Sequence, residues 1–255
     1  MAYAPLIFDL HGVLLGRREP AGHQPAGEVL RQLRAAGHPL RFLTNSSSVG
    51  RQQVAKQLAS AGVEADADEV YTAAMTVAHY LRRCGRPRRL FVVGSDALRA
   101  ELDAMCGGLL SWAAPEEADT VVASRDPELD EETLRRLARA GQPQLIATCR
   151  DLGFPDGDRI HPGPGQTVAR IEQALDAQAL VLGKPNPYAL ASVMDLPAPL
   201  SDCVVIGDSP LQDVALARNA GAKAVLVTPG GDAPGGPEPD WRIDAIDQLI
   251  PLLCR

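Results

Sequence analysis

The chain predicts an α/β fold built on mostly parallel sheet. Two observations carry the prediction. Short apolar runs of about four residues recur along the chain, too short for helices and too apolar for loops. Between them lie stretches of about ten residues with helical spacing, the alternation expected of βαβ units. A length of 255 residues allows one large domain or two smaller ones, with ample material for a core.

Residues 4–8 form the first apolar run, and Asp9 ends it. Gly12 then lets the backbone turn sharply. Residues 25–36 have helical spacing and stop at Gly37, and residues 40–43 read as a strand running into Thr44, Asn45 and three serines. Helical spacing returns over 49–61, with Val54, Leu58 and Ala61 on one face and Gly62 at the end. A helix over 72–83 closes at Gly85, and a strand at 90–93 precedes Gly94. Ser95 is the N-cap expected of a helix over 96–105. Strand 120–123, helix 131–140 stopped by Gly141, strand 145–148 and helix 165–175 follow. Strand 179–182 leads into Gly-Lys-Pro-Asn-Pro. The final quarter reads as strand 203–206, helix 210–219, strand 224–227 and a last helix over 243–253. A Gly/Pro-rich loop occupies 229–240, and no solenoid-type repeat is present.

Composition narrows the function classes. Hydrophobic residues at 45% and charged residues at 22% are ordinary for a soluble globular protein. A net charge of −7 offers no basic surplus to meet nucleic-acid phosphates. The arginines grouped at 82, 83, 86, 88 and 89 read as a solvated face. Five cysteines, scattered and never in a CxxC pair, indicate neither a disulfide framework nor a zinc site. A reduced cytoplasm is the expected location. No signal peptide and no run long enough to span a bilayer is evident.

Four stretches fall at strand ends, and together they point to chemistry. They are Asp9 in FDLHGVL, Thr44-Asn45 in FLTNSS, Lys184 in GKPNP, and Asp208 with Asp213 in VIGDSPLQD. Open α/β sheets place their ligand sites at the carboxyl ends of strands, so these residues are expected along one edge of one sheet. For Asp9 the plainer alternative is a cap on the next segment or a pairing with an arginine. A carboxylate nucleophile, a hydroxyl, a lysine and an acidic pair suit phosphoryl transfer. Asp208 and Asp213 supply the oxygen donors a Mg²⁺ ion prefers. Lys184 is one of three lysines in the chain, which argues against chance placement.

With these motifs quoted, the chain resembles the haloacid dehalogenase superfamily hydrolases, subclass IIA, the capped group similar to nitrophenylphosphatases and phosphoglycolate phosphatases. The order and spacing of all four motifs match over essentially the whole chain. The PGPG turn at 162–165 and the ATCRD stretch at 147–151 resemble signatures of the subclass. The resemblance implies a Rossmann-like parallel-sheet core formed by residues 1–75 and 181–255, with an inserted α/β cap at 76–180. It implies Asp9 as the nucleophile that forms an aspartyl-phosphate, with Thr44, the Asn45 backbone amide and Lys184 holding the phosphoryl oxygens. Asp9, the backbone carbonyl of His11 and Asp208 would bind Mg²⁺, with Asp213 acting through a water molecule. The implied partner is a small phosphorylated metabolite, without nucleic acid or membrane, and a homodimer is compatible with the chain.

One departure matters. Phosphatases of this superfamily carry an acid–base aspartate two residues after the nucleophile, and here that position is His11. General acid–base help is worth about 10²–10⁴-fold, so its loss would be felt. Either His11 takes over the role, or turnover is weak and the protein binds a phosphorylated ligand in a regulatory capacity, or the chemistry is not phosphate hydrolysis. Phosphatase activity with His11 as acid and base is the expected reading. Arg150 and Asp151, and likewise Arg125 and Asp126, follow cap strands and are the candidates for substrate selection. Cys149 stands where related proteins carry asparagine and is expected to be a small buried residue. Arg17 and Arg18 follow the nucleophile loop and read as solvated, the alternative being contact with an anionic substrate. His23, His38, His79 and His161 carry no specific signal.

Overall fold

The computed structural model describes residues 4–16, 20–156, 159–193, 199–229 and 235–254, with side chains 154–160 outside that description. Arg17, Arg18 and residues 230–234 of the Gly/Pro-rich loop therefore lie outside the described residues. The strands are β1 (Leu6–Phe8), β2 (Leu40–Thr44), β3 (Val70–Thr72), β4 (Arg88–Val93), β5 (Leu110–Trp112), β6 (Thr120–Ala123) and β7 (Gln144–Ala147). They continue as β8 (Gly153–Asp156), β9 (Arg159–Pro162), β10 (Leu180–Val181), β11 (Val204–Gly207), β12 (Lys223–Val227) and β13 (Trp241–Ile243). The helices are α1 (Ala26–Ala35), α2 (Arg51–Ser60), α3 (Ala73–Cys84), α4 (Asp96–Cys106) and α5 (Glu131–Leu137). After them come α6 (Pro164–Leu175), α7 (Pro187–Ala191), α8 (Ala215–Ala220) and α9 (Leu249–Leu253).

The chain divides into two compact units. The first comprises Met1–Thr44, Arg51–Tyr71 and Lys184–Arg255, and the second Asn45–Gly50 with Thr72–Gly183. In the first unit the sheet order is β13-β12-β11-β1-β2-β3. The pairings β13–β12, β12–β11, β11–β1 and β1–β2 are all parallel. Leu6, Ile7 and Phe8 are wholly buried, as a central parallel strand covered on both faces requires. Phe8 and Phe42 stack obliquely across the β1–β2 pair, centroids 6.3 Å apart. Val29, Leu30 and Leu33 form the buried stripe of α1.

The second unit holds a five-stranded sheet in the order β10-β7-β6-β4-β5, again parallel at every pairing. An antiparallel hairpin, β8–β9, stands apart from it. Its core gathers Val93, Val121, Ala123, Leu145 and Ala147 from the sheet with Leu137, Val168 and Ile171 from the helices. Thr72, Ser95 and Asp130 cap α3, α4 and α5 through their side chains, each accepting a backbone N–H in the first turn. The α/β class with parallel, Rossmann-like sheets is thus confirmed. No helix among the described residues is long and apolar enough to cross a membrane.

Three expectations need correction. The last helix does not begin at residue 243: Trp241–Ile243 is the edge strand β13, a short turn follows, and helix resumes only at Leu249. Alternation of Trp241 and Ile243 about Arg242 is a three-residue signal, too short for periodicity to show. The helix expected over 210–219 opens as a wide turn at Pro210–Val214 before α8, with the Val214 N–H reaching the Ser209 carbonyl. Lys184 follows β10, which belongs to the second sheet rather than the first, so the four motifs do not end strands of one sheet. Strands β3 and β5 and the β8–β9 hairpin were not anticipated, each being only three or four residues long.

Candidate active site

The first unit concentrates its buried charge at the carboxyl ends of three adjacent strands. Asp9 follows β1, Asp208 follows β11 on one side, and Thr44 ends β2 on the other. The Asp9 amide still donates to the Ile206 carbonyl at 2.8 Å, so the strand pairing reaches the residue itself. Beyond it the chain turns tightly: the N–H groups of Leu14 and Leu15 both reach the Leu10 carbonyl, at 2.8 and 2.7 Å. Gly12 takes φ +82° in this turn, and a Cβ there would overlap the Asp208 carboxylate. Glycine is required here twice, by backbone conformation and by the close approach of a carboxylate. His11 is half-buried in the same turn.

Lys184 enters from the connection after β10. Its Nζ donates to Asp9 Oδ1 at 2.6 Å and to Asp213 Oδ1 at 2.7 Å. All three residues are buried, with 8% of Asp9, 4% of Lys184 and 2% of Asp213 exposed. Asp213 stands on the wide turn, its Oδ2 accepting the Ser209 amide at 3.1 Å. Gly207 lies directly beneath it, where any Cβ would overlap the Asp213 side chain. Motif spacing in the sequence carries no signal for this pairing of one lysine with two carboxylates.

The electrostatics follow from crowding. Carboxylate oxygens of Asp9, Asp208 and Asp213 can all lie within 4.8 Å of one another. Burial, then the charges of Asp9 and Asp213, push Asp208 up to about 7. Burial also pushes Asp213 upward, against the pull of Lys184. Burial works against the Lys184 ammonium, but the two carboxylates outweigh it and hold its proton firmly. Three carboxylates against one ammonium leave a formal charge of −2, which a divalent cation would cancel. Hard, charged oxygen donors are the set Mg²⁺ takes.

The remaining predicted residues fall in the second unit. Asn45 donates from Nδ2 to Asp151 Oδ2 at 3.1 Å. Arg150 is engaged by Glu172, one N–H···O distance being 3.0 Å. Arg125 donates from Nε to the Pro162 carbonyl. Cys149 is buried, and burial followed by the Asp151 charge drives its thiol far above the usual range, so it is no nucleophile. Three hydroxyls went unnoticed in the sequence. Ser47 Oγ lies 2.6 Å from Ser124 Oγ, and Thr148 Oγ1 donates to Ser124 Oγ at 2.9 Å. Their signal was available, since Ser124 and Thr148 both end apolar runs. Of the histidines, His23 in the first unit meets Asp247 at 2.8 Å and His38 meets the Ala4 carbonyl at 2.9 Å, both structural contacts.

Comparison with known proteins assigns the family. A family model described as haloacid dehalogenase-like hydrolase matches residues 6–106, and a HAD-hydrolase-like model matches 181–249. The chain is 30% identical to sugar-phosphatase AraL of Bacillus subtilis (strain 168), covering 98% of this chain and 93% of that protein. It is 32% identical to the glycerol-3-phosphate phosphatase of Homo sapiens, over 97% of this chain and 90% of the relative. Among solved structures, 4-nitrophenylphosphatase from Thermotoga maritima superposes with a TM-score of 0.83 at 27% identity, covering 97% of this chain and 96% of that one. NagD from E. coli K-12 gives a TM-score of 0.82 at 26% identity, over 97% and 98% of the two chains. The chain therefore belongs to the haloacid dehalogenase-like hydrolases, subclass IIA, and is an enzyme of their phosphatase type.

Proposed function

We propose that the protein is a Mg²⁺-dependent phosphatase of small phosphorylated metabolites, acting in the cytoplasm through an aspartyl-phosphate on Asp9. The observation that carries this reading is the buried Lys184 ammonium held between Asp9 and Asp213, with three carboxylates converging on one point. Asp9, the His11 carbonyl and Asp208 are the proposed metal ligands, with Asp213 acting through a water. Bound there, the ion would offset the negative charge of nucleophile and phosphate.

The chain's own groups do the rest. Asp9 attacks phosphorus, and the ester P–O bond breaks. Lys184, Thr44 and the Asn45 amide hold the equatorial oxygens as charge shifts onto the leaving group. His11, protonated, gives its proton to the departing alkoxide. The neutral imidazole then takes a proton from water as that water attacks phosphorus, breaking the bond to Asp9 and releasing inorganic phosphate. Histidine suits this double role because its imidazole can both donate a proton and accept one. Residues 76–180 are the proposed cap, whose role would be to exclude water and read the leaving group.

The test is phosphate release across a panel of phosphate monoesters, with Mg²⁺ or with EDTA, over a pH series. Release that needs the metal and disappears in Asp9→Asn supports the reading. A rate loss of about 10²-fold or more in His11→Ala supports histidine as acid and base. The substitution at His11 also motivates a second reading, a weakened hydrolase that binds phosphorylated ligands. Thermal stabilisation by esters that are never consumed would favour it.

A further inference from the structure

The carboxyl edge of the second sheet grips the short segment 45–50. That segment belongs to the second unit although it directly continues β2. Four strand ends hold it. After β4, Ser95 Oγ donates to the Ser47 carbonyl at 2.8 Å. After β6, Ser124 Oγ meets Ser47 Oγ at 2.6 Å, and after β7, Thr148 completes that hydroxyl chain. Beyond Thr148, Asp151 takes the Asn45 amide through both oxygens, at 3.1 and 3.5 Å, and Cys149 Sγ approaches both the Asn45 carbonyl, at 3.8 Å, and Asp151 Oδ2, at 3.5 Å. After β10, Gly183 closes the nest: a Cβ there would stand 2.7 Å from Asn45 Oδ1. It would also stand 2.2 Å from the Thr148 carbonyl oxygen, so only glycine fits between the two.

We propose that Asp151 is a positioning residue, fixing Asn45 so that its backbone amide is set to receive a phosphoryl oxygen, rather than a group that touches the substrate's leaving group. The proposal rests on the reading that Asn45 binds phosphate. A charge-assisted hydrogen bond from the Asn45 side chain, with the thiol on its carbonyl, clamps one residue from two sides. A preorganised donor costs no rearrangement when charge develops in front of it.

Phosphate and leaving-group roles separate experimentally. Asp151→Ala is expected to lower kcat/KM about 10- to 100-fold for every ester alike, the loss of one charge-assisted bond. Inorganic phosphate should bind the Mg²⁺-loaded protein more weakly by a similar factor. Asp151→Asn, which keeps an acceptor oxygen, should recover part of both. In an Asn45→Ala background, Asp151→Ala should add little, because the side-chain amide through which Asp151 acts on the backbone is gone. Hydrogen exchange of a peptide covering 45–48 should quicken in Asp151→Ala, a readout independent of turnover. A changed rank order of esters with unchanged phosphate affinity would assign Asp151 to the leaving group and overturn the proposal. So would unchanged exchange in a folded variant. Loss of all hydrolysis in wild type, with exchange still quickened in the variant, would overturn the phosphatase reading while keeping the clamp.

Discussion

Replacing Lys184 by methionine removes the ammonium that, among the described residues, donates to both Asp9 and Asp213, and leaves an apolar side chain of similar length. Unit charges about 4 Å apart attract by about 4 kcal/mol at an effective dielectric of about 20, and Lys184 has two such partners. Burying the ammonium itself costs several kcal/mol, so the net loss expected on removing it is about 3–5 kcal/mol. Against a typical total of about 5–15 kcal/mol, that is a large fraction of stability. The assay is urea unfolding of metal-free protein at pH 8 and at pH 5. Without Lys184 the carboxylates face one another unopposed, so the folded state binds protons more tightly than the unfolded one. Stability then rises as pH falls, and the deficit of the variant shrinks toward pH 5. Mg²⁺ should recover part of the deficit at pH 8 by supplying the missing positive charge. A deficit below about 1 kcal/mol at pH 8, or one equal at both pH values, would show that Lys184 is not the compensating charge.

Other expectations follow from the same geometry. Asp208 is pushed up to about 7, so the metal-free fold holds its proton more tightly than the unfolded chain, and stability should fall as pH rises from about 4 to about 7. Asp208→Asn should flatten that slope in a series of thermal melts. Because ligand carboxylates must be deprotonated, Mg²⁺ should bind more weakly at pH 5 than at pH 8 by calorimetry. Gly12→Ala combines a left-handed backbone with overlap on Asp208, so it should cost at least about 1–2 kcal/mol and weaken Mg²⁺ binding. Wild-type stability and affinity in that variant would refute the close packing. Of the five cysteines, Cys84 and Cys254 are exposed and should react quickly with a thiol reagent, whereas Cys106, Cys149 and Cys203 should react only on unfolding. Burial holds the Cys106 and Cys203 thiols up at about 11, which slows them further.

Much of this was legible in one dimension. Alternation of short apolar runs with helical stretches sufficed for the class, because a strand buried on both faces, such as Leu6–Phe8, cannot hide its composition. Polar residues closing those runs marked Asp9, Thr44 and Asp208, because the carboxyl ends of parallel strands are where a sheet exposes side chains to a ligand. Elements of three or four residues escaped, since β5, β8, β9 and β13 offer too few positions for a period to show.

Tertiary structure alone decided which charges meet. Lys184 and Asp213 are 29 residues apart and Lys184 and Asp9 are 175 apart, and nothing local requires that one ammonium serve both. Lys184 follows a strand of the second sheet, so strand-end counting assigns it to the wrong sheet. Sequence makes Asp151 a candidate for substrate selection, and carries no sign that it accepts from the Asn45 side-chain amide, 106 residues away. The physical reason is common to all three. Hydrophobic periodicity is a property of neighbouring residues and is written in the chain. Pairing of buried polar groups is a property of the closed fold, where each unpaired one costs free energy and must find whatever partner the topology brings.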